Sequence, residues 1–150
     1  MRQFTAKRMG MAAAVACGLF ALLQLVPYGR HHSNPPVVQE PAWDQASTRE
    51  LARRACFDCH SNETEWPWYS HVAPFSWVVQ HNVDTARTVL NFSDWTQTYE
   101  LAAQAPANVL VREMPPRSYR MMHPRAQLTD REKRELARGL QATLGLVVEE

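Results

Sequence analysis

The sequence predicts an all-α fold, a small helical domain behind a single N-terminal transmembrane helix. Three observations predict it. No charged residue stands between Arg8 and Arg30, and most of that interval is apolar. Two capping boxes, Ser47 with Glu50 and Thr129 with Glu132, mark helix starts. Apolar residues recur at helical spacing behind Pro74 and behind Thr129, and no stretch keeps the period-2 alternation of a strand.

The N-terminus comes first. Arg2, Lys7 and Arg8 make residues 1–8 a cytoplasmic flank by the positive-inside rule. From Met9 to Val26 the chain carries no charge. As a helix this run rises about 27 Å, close to a bilayer core. The small residues Ala12 to Ala16 come too early for signal-peptidase cleavage, and Val26-Pro27-Tyr28 lacks them. The expectation is an uncleaved signal anchor over 9–26. It implies a single-pass protein of the bacterial inner membrane with its C-terminal domain in the periplasm. Residues 27–44 read as a linker, because Pro35, Pro36 and Pro41 favour extended polyproline II. His31 and His32 lie in it and read as solvated. Residues 45–146 form the domain.

The first helix of that domain delivers Cys56-Phe57-Asp58-Cys59-His60. This is C-x-x-C-H, the attachment site of a c-type haem. Two thiols at this spacing bond the two vinyl groups, and the adjacent His serves as proximal ligand of the iron. The competing readings are weaker. A thioredoxin-like redox pair follows a strand in a βαβ unit, and here a helix precedes. A structural zinc site needs a second ligand pair, and the remaining cysteine, Cys17, sits in the apolar run. A plain disulfide at this spacing is the third alternative.

The rest of the domain follows in order. Residues 61–70 form a loop with Trp66, Pro67, Trp68 and Tyr69, either a wall around the macrocycle or an ordinary core cluster. Behind Pro74, residues Phe75, Val78, Val79, Val83, Ala86 and Leu90 lie at helical spacing. A short helix is expected between Trp95 and Arg112, which Pro106 must start, bend or break. Behind Thr129, residues Leu136, Leu140 and Leu144 form one stripe that packs the last helix on the first helix of the domain.

A haem iron ligated by His60 has a sixth position. Met114 is the favoured occupant, because Pro115 and Pro116 put it on a rigid strap. A thioether is a good ligand for low-spin haem iron. His71 and His123 are the alternative distal ligands. Met121 and Met122 read as packing residues, and His81 as an ordinary surface or core His.

The blocks Pro27-Tyr28-Gly29-Arg30, Asn34-Pro35-Pro36-Val37, Cys56 to Thr64, Trp66 to Ser70, Asn91 to Trp95, Met114-Pro115-Pro116, His123-Pro124 and Leu128-Thr129-Asp130 occur in that order. Together they resemble the bacterial haem-binding domain family of small, membrane-anchored, cytochrome c-like proteins. The resemblance covers roughly Pro27 to Leu144. It implies a cytochrome c-like helical domain around one covalent haem c on Cys56 and Cys59, with His60 as proximal ligand. The Met-Pro-Pro strap resembles the distal-ligand segment of cytochromes c. The chain departs from the family pattern at Arg112-Glu113, since the family usually has a Gly shortly before this Met.

Charge is unevenly placed. The formal net charge of +1 excludes a nucleic-acid footprint. Nine acids face four bases from Glu40 to Glu100, whereas eight bases face four acids from Arg112 to Arg138. The basic part surrounds the strap, which suits docking of an acidic redox partner protein. The expected function is a membrane-tethered monohaem electron carrier with His60 and Met114 on the iron, not an enzyme. The alternatives are a redox or gas sensor with a labile distal site, and a peroxidase-like enzyme using His123 or His71 as its acid–base group.

Overall fold

The computed structural model describes the backbone of residues 2–146 and the side chains of residues 7–146. Its regular elements are helices: α1 (Arg2–Leu23), α2 (Ala46–Ala55), α3 (Phe57–His60), α4 (Phe75–Val89), α5 (Ala105–Leu110), α6 (Arg117–Met122) and α7 (Asp130–Thr143). Single 3-10 turns occupy Trp68–His71, Ala102–Gln104 and Pro124–Ala126. The described residues hold no strand and one isolated bridge, between Gln39 and Asp94. The chain divides into two units. One holds the residues up to His32 with Pro67–His81; the other holds Ser33–Trp66 with the residues from Asn82 onward.

In the first unit, the transmembrane part of the predicted fold is overturned. Among the described residues, no helix is long and apolar enough to cross a membrane. The 9–26 signal anchor, and with it the single-pass inner-membrane placement, is therefore not supported. The physical reason is length, since α1 ends before Gln24. The Gln24 side-chain amide donates to the Ala73 carbonyl at 3.0 Å and accepts from the Ala73 N–H at 3.0 Å. The chain leaves the helix there, and α1 stops at Leu23. The apolar helical run from Met9 is then about 15 residues and rises about 22 Å, short of the ~30 Å hydrocarbon core. Gly29 follows with φ +76, passing so close to α4 that a Cβ would come within 2.2 Å of the Ser76 carbonyl oxygen. His32 is not a solvated loop residue. It is half-buried with φ 45, its Nε2 lies 3.0 Å from the Ser70 carbonyl oxygen, and its ring meets His71 edge-on at 4.3 Å.

The second unit holds the core. Its buried residues include Leu51, Ala52, Phe57, Leu90, Phe92, Val109, Leu128, Leu136 and Leu140. Thr129 and Glu132 form the predicted capping box at the start of α7. Leu136 and Leu140 are buried, and Leu144 packs at the edge. Helix α7 lies against α5 as well as α2. Its approach to α2 is close, because a Cβ on Gly139 would fall 2.1 Å from Thr48 Oγ1.

Several local expectations change. The Ser47/Glu50 box does not form: α2 begins at Ala46 behind Gln45, without a side-chain cap. In α4 Val83 is buried, as is Leu90 just past its end, but Phe75 and Val78 are exposed. Pro106 starts α5 rather than breaking it. The Pro-rich stretch is extended, and Val38 donates its N–H to the Ser93 carbonyl at 2.8 Å. The aromatic core is not the Trp66–Tyr69 block, where Trp68 is 77% exposed. It is Trp43, Phe57, Phe92, Trp95 and Tyr99, ring against ring, with Phe57 and Phe92 stacked at 5.6 Å.

Candidate functional site

The site is built where α2 gives way to α3. The Cys56 N–H closes α2 on the Ala52 carbonyl at 2.7 Å. The backbone then bends at Cys56, and the Cys59 and His60 N–H groups turn back onto the Cys56 carbonyl. Phe57 anchors this turn: it is 2% exposed and stacks on Phe92. One middle residue of the C-x-x-C motif is thus a core residue, and it fixes which way its neighbours point.

His60 is oriented by α4. Its Nδ1 lies 2.9 Å from the Leu90 carbonyl oxygen and 3.1 Å from that of Ala86. Leu90 O lies just past the end of α4, where the helix leaves carbonyls without partners. A carbonyl only accepts, so Nδ1 carries the hydrogen and Nε2 keeps a bare lone pair. Burial is the larger influence on the ring and pushes its pKa down, against these two hydrogen bonds. A neutral imidazole held through Nδ1 is the form that ligates a metal through Nε2.

Cys56, His60 and Met114 line one apolar cleft of about 70 Å³, together with Leu90, Phe92, Leu101, Ala105, Val109 and Leu140. Cys56 and Cys59 are free thiols, both half-buried. Burial pushes the Cys56 thiol up to about 12, with Cys59 beside it adding to the shift. Burial also pushes Cys59 up to about 11, with the Asp58 carboxylate adding to it.

Met114 sits on a strap between α5 and α6. The N–H groups of Glu113 and Met114 both donate to the Asn108 carbonyl, at 3.0 and 3.1 Å. Pro115 is buried behind a cis Met114–Pro115 bond, while Met114 itself is 38% exposed. Arg112, where the family pattern expects a Gly nearby, has φ +65. It is a non-Gly residue in the left-handed conformation that favours glycine. Its guanidinium pairs with Asp130 at 2.9 Å. The Arg120 guanidinium donates to the carbonyls of Arg112 and Pro115, bridging both sides of Met114.

The alternative distal ligands lie elsewhere. His71 is in the other unit, against His32. His123 stacks on Tyr119 at 4.0 Å and lines a separate, wider cleft with Asp58, Arg53 and Arg54. Met121 and Met122 are 70% and 57% exposed, so they are not packing residues. His81 is exposed.

Two residues at the site carry no sequence signal. Arg87, on α4, donates to the carbonyls of Ser61 and Ser33, to Asn34 Oδ1 and to Thr64 Oγ1, at 2.8 to 3.1 Å. It ties the segment that follows His60 to the extended stretch. Tyr119 donates its hydroxyl to Asp58, inside the C-x-x-C motif. Nothing in one-dimensional spacing brings position 87 or 119 to the motif; the packing of α4 and α6 does.

The donor set fits a haem: a neutral His with a bare Nε2, a thioether and the Cys56 thiol on one apolar cleft, with Cys59 beside Cys56. A model of the haem-binding domain family matches residues 18–142, which span both the motif and the strap. Comparison with curated proteins and with solved structures finds no match.

Proposed function

Because the chain belongs to the haem-binding domain family and binds haem, we propose that it holds one haem c and carries electrons. Cys56 and Cys59 would hold the haem through thioether bonds to its two vinyl groups, each S–H adding across a vinyl with no net redox change, and His60 Nε2 and Met114 would ligate its iron. Bound there, haem supplies an iron that cycles between the ferric and ferrous states.

One observation carries this reading. His60 is fixed through Nδ1 to Leu90, and it borders the same apolar cleft as Cys56 and Met114. Apolar walls exclude water from such a centre and tune its potential. Two protein ligands leave no coordination position for a substrate, which favours a carrier over a catalyst. The partner is an acidic redox protein. Arg112, Arg117, Arg120 and Lys133 line a cleft of about 420 Å³ beside the strap, with Asp130 as the acidic residue there. Such a surface steers an acidic partner towards the strap.

Absorption spectra of denatured and native protein test the reading. Haem should stay with the denatured wild-type chain and leave the Cys56→Ser/Cys59→Ser variant. The native protein should be six-coordinate and low-spin, and Met114→Ala should become high-spin. Haem extracted freely from the wild type would sink covalent attachment, and an unchanged Met114→Ala spectrum would remove Met114. Electron-transfer rates to an acidic partner should fall as salt screens the docking, and rates independent of salt would remove that partner.

A further inference from the structure

Met114 and His60 border one apolar cleft, so the strap that carries Met114 is the lid of the position opposite His60. What holds it down is legible in three contacts. The Arg120 guanidinium reaches carbonyls on both sides of Met114, which makes the strap and α6 one mechanical piece. The next residue, Tyr119, extends from that piece to α3 and donates its hydroxyl to Asp58 Oδ2. The Tyr119 ring is braced by His123, stacked on it at 4.0 Å and 15°, whose Nδ1 lies 3.0 Å from the Tyr119 carbonyl oxygen. Asp58 is itself held, since its Oδ1 accepts the Glu65 N–H at 3.0 Å.

We propose that Tyr119 is a positioning residue for the sixth coordination position, its hydroxyl on Asp58 latching the Met114 strap shut over His60. The inference rests on the reading of Met114 as the distal ligand. The latch joins the haem-attachment motif to the distal lid through one hydrogen bond to a charged acceptor. Such bonds are the stronger kind, and losing one shifts a closed–open balance by about tenfold to a hundredfold. Lids of this type gate access to the bound group, and Tyr119 acts on it only through the strap.

The test is carbon monoxide binding to the ferrous haem-loaded protein, with wild type, Met114→Ala, Tyr119→Phe and Asp58→Asn side by side. Wild type should bind slowly and Met114→Ala rapidly. Tyr119→Phe removes a single oxygen. It should bind at least about tenfold faster than wild type, while its ferric spectrum stays that of the Met114-ligated protein. Asp58→Asn keeps an uncharged acceptor and should fall between the two. A second readout is hydrogen exchange of the haem-free protein. The Met114 amide, bonded to the Asn108 carbonyl, should exchange faster in Tyr119→Phe, with the α7 amides unchanged. A Tyr119→Phe variant that binds carbon monoxide at the wild-type rate, beside a fast Met114→Ala, overturns the latch and leaves the ligand reading intact. Met114→Ala indistinguishable from wild type overturns both. Faster exchange spread evenly over α7 and the strap in Tyr119→Phe would reduce Tyr119 to a general stability role and overturn the latch.

Discussion

His60 Nδ1 lies 2.9 Å from the carbonyl oxygen of Leu90. The bond joins the last residue of the C-x-x-C-H motif to the chain just beyond α4, 30 residues on. It does two things at once. It satisfies a helix-end carbonyl, and it leaves Nε2 as the only ring nitrogen able to ligate. Ala86 O is less dependent on the ring, because it also accepts the Leu90 N–H at 2.9 Å.

Replacing His60 by Phe keeps an aromatic ring but removes the donor. The Leu90 carbonyl then lacks its partner in a half-buried place. Urea unfolding of the haem-free protein should show a loss of about 1–3 kcal/mol. A midpoint equal to wild type would mean that water takes the place of the ring.

Arg112 in the left-handed conformation gives a paired prediction. Left-handed backbone costs a non-Gly residue about 1–2 kcal/mol, and its exposed ion pair with Asp130, which Lys133 also engages, offsets little of that. Arg112→Gly should therefore stabilise the protein by roughly 1 kcal/mol. Arg112→Ala keeps the strained backbone and loses the pair, so it should destabilise slightly. Thermal melts of the two variants that shift in the same direction would contradict the account.

Glu132 predicts a pH dependence. The Thr129 backbone N–H, then Arg54 and the Thr129 hydroxyl, hold its carboxyl down to about 2, from 4.5. A depressed acid contributes stability that is fully present above its unfolded pKa and disappears as pH falls through the folded one. The advantage of wild type over Glu132→Gln should be constant above about pH 5 and shrink between about pH 4.5 and 2. The cap as a whole contributes about 1 kcal/mol. Urea midpoints of both proteins across that range check it, and an advantage that grew with acid would refute it.

The local signals of this chain specify structure where they are self-contained. Thr129 and Glu132 cap α7 because both partners lie within one turn, so no distant residue can intervene. Ser47 and Glu50 carry the same pattern and form no box, because α2 starts at Ala46 behind Gln45, two residues before a Ser47 cap would start it. The pattern specifies a partner spacing and not where the chain leaves the extended region. The end of α1 is likewise not encoded by its local pattern. Hydropathy runs on to Val26, but α1 ends at Leu23, and the Gln24 side chain bonds the backbone of Ala73, 49 residues away.

By itself the sequence determined the chemistry: two thiols and an imidazole at the one spacing that suits a c-type haem, a Met on two prolines, and the helical periods that make the chain all-α. Those are properties of residue type and of short separations along the backbone. The tertiary structure decided how the chemistry is poised. It turned His60 by a carbonyl at the end of α4, placed Arg87 under the segment that follows the motif, and set Tyr119 against Asp58. It also ended α1 at Leu23. Each of these depends on which helix end or loop packing brings within about 3 Å of a polar atom. That distance is set by the whole core, which no local pattern encodes.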